Sequence, residues 1–286
     1  MAEEAYRKRP NALFWIVWLL VFLALVGLYI ILHWTYDKVR WDVLPRPGNI
    51  QRAQFHSIEA ALELFNNEFD RYPPSDANDS TGRPYCGAMK LAEALMGQDM
   101  LGFHGDSVFR ADGKDTNGVT NLYDPAADLT LKKGPYLPPE SADSPTLVEI
   151  YGRGNTALFN PNSRVLCDEY YRRYKSGLKT GMPVLFYKAD TSKTAHDVNN
   201  PDNPGNIYDY RDNLALLALG VPGEPEKKHP MFADPRLFYK ITKSDKVTTI
   251  SKPSRADTYI LISAGQDGLY GTRDDICNFE FSFPDE

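Results

Sequence analysis

The chain has 286 residues, of which 42% are hydrophobic and 24% charged, and its formal net charge is −6. Acidic side chains outnumber basic ones and no basic stripe is available to neutralise phosphates, which argues against a nucleic-acid partner. Cys86, Cys167 and Cys277 are compatible with one disulfide and a spare thiol, or with three free buried thiols.

Residues 12–32 carry no charge, and 15 of them are Leu, Ile, Val or Phe. As a helix rising ~1.5 Å per residue, this stretch reaches about 31 Å, matching the ~30 Å hydrocarbon core of a bilayer. The run exceeds the apolar region of a signal peptide, and no small-x-small cleavage site follows it. It predicts an uncleaved transmembrane helix. Arg7, Lys8 and Arg9 in the short tail 1–11 place that tail inside and the long remainder outside. Residues 33–48 read as a juxtamembrane linker broken by Pro45, Pro47 and Gly48. The remainder, 49–286, is long enough to bury a sizeable core.

Asn49 is a candidate N-cap for a helix from Ile50 to about Asp70, whose apolar face is Ile50, Ile58, Leu62, Phe65 and Phe69. Pro73 and Pro74 stop it. His56 on this helix reads as a surface histidine. Met89, Leu91, Ala92, Leu95 and Met96 predict a second short helix, ended by Gly97 or Gly102. Asp112, Asp115, Asn117 and Gly118 imitate a calcium loop, but Gly113 falls where the first ligand of an EF-hand should be, so a polar turn is expected.

Residues 147–151 suggest a strand, and Tyr170, Tyr171 and Tyr174 beside Arg172 and Arg173 suggest a half-buried amphipathic surface. Met182 to Lys188 is a better strand candidate, rich in β-formers. Residues 190–206 are turn-rich and polar, Leu214 to Leu219 reads as a short helix, and 230–241 is ambiguous. His196 and His229 lie in polar loops, where solvated histidines are expected.

The sharpest pattern is C-terminal. Thr258 to Gly265 reads as a strand, and it runs into a turn where Asp267, Asp274 and Asp275 stand within nine residues. Two carboxylates ~4 Å apart repel by roughly 4 kcal/mol at an effective dielectric near 20, so a turn gathering them needs a cation or must splay them. Gly265, Gly268 and Gly271 let the backbone aim carbonyls inward, and a hard, oxygen-rich set suits Ca²⁺.

These features together resemble the major pseudopilins of type II secretion systems and related type IV pilin-like proteins. The matching stretches are an apolar N-terminal helix, an amphipathic helix ending in Arg71-Tyr72-Pro73-Pro74-Ser75, a helix with Leu91-Ala92-Glu93-Ala94-Leu95, and Gly181-Met182-Pro183-Val184-Leu185-Phe186-Tyr187. Ser263-Ala264-Gly265-Gln266-Asp267-Gly268 and Asp274-Asp275-Ile276, with Phe279, resemble the family's C-terminal calcium loop. The start departs from the family: residues 9–14, Arg-Pro-Asn-Ala-Leu-Phe, lack the glycine and glutamate of a prepilin cleavage site.

The resemblance implies an α+β fold, with an amphipathic helix packed on a small antiparallel sheet below the transmembrane helix and a long loop insertion over about 100–250. It implies calcium held by Asp267 and Asp275, with Asp274 a further or outer candidate and main-chain carbonyls near Ile262, Ser263 and Gly265 completing the set. It also implies a single-pass protein of the bacterial inner membrane with a periplasmic domain. Its partners would be the membrane and other protein subunits of secretion or pilus machinery, or further copies of itself. A calcium-stabilised tether or binding domain unrelated to secretion is the alternative, with a membrane-anchored hydrolase a more distant one. The motifs of hydrolases, zincins and phosphate-binding loops are absent from the sequence, so no enzyme is expected.

Overall fold

The computed structural model describes residues 16, 18–31, 47–124, 126, 128–174, 177–246, 250–280 and 283. The chain divides into two compact units, residues 1–46 and 47–286. In the first, residues 16 and 18–31 are helical and their large apolar side chains are exposed.

The structure does not bear out the expected transmembrane helix. Among the described residues no helix is long and apolar enough to cross a membrane. Within the 12–32 stretch the described residues are 16 and 18–31. The rest of the 12–32 stretch (12–15, 17 and 32) lies outside the described residues, as do the tail 1–11 and all of the linker before Pro47.

The second unit combines helices with small antiparallel sheets. Its long helix, α1, spans Pro47–Phe69. Asn49 sits inside its first turn and does not cap it, because the helix starts two residues earlier, at Pro47. The buried face is Phe55, Ile58, Ala61, Leu62 and Phe65, whereas Ile50 is exposed. Helix α2, Gly87–Met96, is buried along its whole length and ends at Gly97 with φ 78°. A Cβ at Gly87 would lie 2.1 Å from the carbonyl oxygen of Phe186. Glycine is what lets α2 start directly on the sheet.

A first ribbon pairs β1, Phe103–His104, with β2, Lys132–Lys133. Residues 147–151 form a short helix, α3, instead of the expected strand. Thr146 Oγ1 accepts from the Glu149 N–H while the Glu149 carboxylate accepts from the Thr146 N–H, so a capping box overrides the β-formers that follow it. A second ribbon pairs β3, Arg172–Arg173, with β4, Lys179–Thr180.

The central sheet is formed by β5, Leu185–Lys188, β6, Tyr259–Ser263, and β7, Ile276–Cys277, in the order β5-β6-β7. All pairs are antiparallel, with Leu185 opposite Ile262 and Ser263 opposite Ile276. Every residue of β6 is buried. Between β5 and β6 come α4, Leu214–Leu217, α5, Pro230–Ala233, and α6, Pro235–Thr242. Residues of the 100–250 region such as Phe103, Leu147, Val165, Tyr208 and Phe238 belong to the same hydrophobic core as α1 and the sheet. The three cysteines are buried and free.

Candidate metal centre

The C-terminal turn joins β6 to β7, and its position is fixed from both sides. Asp168 is almost wholly buried and accepts from Ser263 Oγ at 2.8 Å and from the Met182 N–H at 3.0 Å. Burial pushes its carboxyl up to about 7, against the pull of those donors. Ser263 Oγ also accepts from the Gly265 N–H at 3.2 Å, which starts the turn. The Ser263 hydroxyl therefore serves the scaffold.

Gly265, with φ 61°, packs against Asp274: a Cβ there would lie 2.2 Å from the Asp274 carbonyl and 2.8 Å from its Oδ2. Asp274 Oδ2 accepts from the Asp267 N–H at 2.9 Å, and its Oδ1 from Thr272 Oγ1 at 2.7 Å. Asp267 Oδ1 in turn accepts from the Leu269 N–H at 2.7 Å. Gly265, Asp267 and Asp274 are thus brought to one place.

Asp275 turns inward. It is 5% exposed, and its Oδ2 accepts from the Gly271 N–H at 2.7 Å. Burial, reinforced by the charges of Asp274 and Asp267, pushes its carboxyl up to about 8.

The two outer carboxylates respond to each other. Burial raises Asp267, and the neighbouring Asp274 charge raises it further. Burial also opposes ionisation of Asp274, but hydrogen bonds from Thr272 and from the Asp267 backbone outweigh it and hold Asp274 below the usual carboxylate range. An ionised Asp274 beside an Asp267 whose ionisation it opposes is an arrangement that a hard cation would relieve.

Among the described residues no group of three or more His, Cys, Asp or Glu side chains is placed to hold a metal ion. A cation here would take the Asp267 and Asp274 carboxylates, with carbonyls and water as its other ligands. That donor set fits Ca²⁺, which accepts carbonyl and water oxygens freely, and does not fit Zn²⁺.

A residue that sequence reasoning assigned to an amphipathic surface also reaches this turn. Arg172 Nη2 donates to the Gln266 carbonyl at 2.5 Å and to the Gly265 carbonyl at 3.3 Å. No local pattern announces this contact, which spans 94 residues of sequence.

Elsewhere, Asp112 receives the Arg110 guanidinium at 2.9 Å, and Asp115 caps the Val119 and Thr120 N–H groups. His56 is exposed beside Glu59. His196 and His229, expected in solvent, are 3% and 0% exposed. Their rings are bound from afar, His196 Nε2 by the Tyr239 carbonyl and His229 Nδ1 by the Tyr270 N–H.

No family model matches the chain, and no curated protein or solved structure matches it.

Proposed function

We propose that this chain is a non-catalytic, pseudopilin-like protein that works by contacting other protein subunits, as in type II secretion or type IV pilus assembly, with a C-terminal turn stabilised by calcium. The observation that carries the reading is the meeting of Gly265, Asp267 and Asp274 at the exit of a buried strand. Asp267 and Asp274 would hold the ion, with main-chain oxygens near Gly265 and water completing its shell, while Asp275 supports the turn from within. When bound, calcium would neutralise the two outer carboxylates and lock the strand-to-strand connection.

Support for a binding role comes from chemistry that is put to structural use: the buried titratable groups Asp168, Glu93 and His229 are engaged with scaffold donors and acceptors.

Thermal unfolding of the full chain with calcium chloride and with EGTA tests the calcium part. An ion that binds only the folded state at 100 times its dissociation constant adds about 2.7 kcal/mol of stability. Equal midpoints in the two buffers contradict the reading. Cross-linking in cells tests the assembly part: adducts with secretion or pilus subunits, or with further copies of the chain, support it, and an uncrosslinked monomer contradicts it.

A further inference from the structure

Arg172 brings a positive charge to the carbonyl side of the turn that also gathers the two carboxylates. It stands on β3, one strand of the ribbon paired Arg172 to Thr180 and Arg173 to Lys179. Four residues earlier, Asp168 receives the hydroxyl of Ser263. One segment therefore holds the turn at two points, Ser263 before it and Gly265 with Gln266 inside it.

The guanidinium lies against Gly268, whose φ of 71° already favours glycine. A Cβ at Gly268 would lie 1.6 Å from Arg172 Nη1 and 2.3 Å from Cζ, so a side chain there would displace the guanidinium from its present place. Nη1 is buried against this glycine and has no hydrogen-bond partner among the described residues, so the guanidinium acts on the turn through Nη2 and its charge. Carbonyl oxygens of such a turn are what a hard cation seeks. An arginine that occupies them supplies charge and directed donors at once, and it is always ionised.

We propose that Arg172 is a built-in counter-cation for the C-terminal turn, holding the Gly265 and Gln266 carbonyls so that the turn stays folded without calcium, and weakening calcium binding by competing for those oxygens. The competition rests on the calcium reading above; the hold on the turn does not.

The test uses the full chain as wild type, Arg172→Ala and Arg172→Gln. Each is melted in EGTA and titrated calorimetrically with calcium chloride. In EGTA both variants should melt lower, Arg172→Ala by about 3 °C, the shift expected when a chain of this size loses roughly one net charge-assisted hydrogen bond. Glutamine retains a donor and should fall between alanine and wild type. Calcium affinity should rise in both variants, by about tenfold for the loss of one unit charge near a divalent ion at an effective dielectric between protein and water. A merely structural lesion in the turn would loosen calcium binding.

Unchanged midpoints in EGTA overturn the hold on the turn. Calcium affinity that is unchanged or weaker in both variants overturns the competition. A lower EGTA midpoint in both variants, with no calcium heat in any of the three proteins, supports the hold and discards the calcium reading and the competition together.

Discussion

Ser75 Oγ donates to Asp212 Oδ2 at 2.5 Å and accepts from the Lys188 N–H at 3.0 Å. One hydroxyl thus joins the turn after α1 to the end of β5 and to the segment entering α4. Burial pushes Asp212 up to about 7, so its acceptor is costly to leave without a donor. Ser75→Ala should destabilise the protein by roughly 1–3 kcal/mol, measured by urea unfolding, with a smaller loss for Ser75→Thr.

Glu93 occupies a comparable place inside α2. It is buried and accepts from Tyr85 Oη and Ser107 Oγ at 2.5 Å, from Tyr123 Oη at 2.9 Å and from Gln98 Nε2 at 3.0 Å. Burial still raises its carboxyl above the ordinary value, against the pull of those donors. Glu93→Ala strands the Tyr85, Ser107 and Tyr123 hydroxyls, while Gln98 keeps the Arg110 carbonyl, and should cost about 3 kcal/mol or more, whereas Tyr85→Phe should cost about 1 kcal/mol. Equal losses for the two variants in denaturant unfolding would contradict this ranking.

The histidine at 229 gives stability a pH dependence. Burial lowers it to about 4, so between pH 6.5 and 4 the unfolded chain binds a proton that the folded one refuses. The folded state therefore loses stability as pH falls through that window and keeps it above 6.5. Relative to His229→Asn, wild type should lose on the order of 3 kcal/mol between pH 6.5 and 4. Unfolding free energies of the two proteins that run parallel across that range would contradict the assignment.

The short helix α3 depends on its cap. Thr146→Ala removes one half of the Thr146–Glu149 box and should cost about 1 kcal/mol. The loss should appear as faster amide exchange over 147–151.

The same box shows what the sequence discloses and what it hides. Thr146 followed three residues later by Glu149 is a helix-start signature written in adjacent residues, yet the β-formers between them suggest a strand. Long periodic stretches are read more safely: the apolar spacing of 50–70 matches α1 at Pro47–Phe69, and the apolar run at 258–265 contains β6 at Tyr259–Ser263. Inside α1 the buried face shifts toward Phe55 and Ala61 and leaves Ile50 exposed, because the neighbours that cover the helix come from elsewhere in the chain. His196 and His229 show the same effect, since polar flanking residues say nothing of the core residues folded over them. The candidate site divides along this line. Asp267 and Asp274 are close in sequence and are legible as a pair. Asp168 and Arg172 reach the turn across more than ninety residues and leave no local trace. The apolar stretch near the N-terminus is conspicuous in sequence, yet among the described residues no helix is long and apolar enough to cross a membrane.

Calcium at the β6–β7 turn, as proposed, would be held by Asp267 and Asp274. Isothermal titration of calcium chloride into wild type and into the Asp267→Asn, Asp274→Asn double variant tests it most directly. One site per wild-type chain is expected, with a loss of at least about 100-fold in affinity when both charges are removed. Wild type that takes up no calcium, or a double variant that binds it as well, would contradict it.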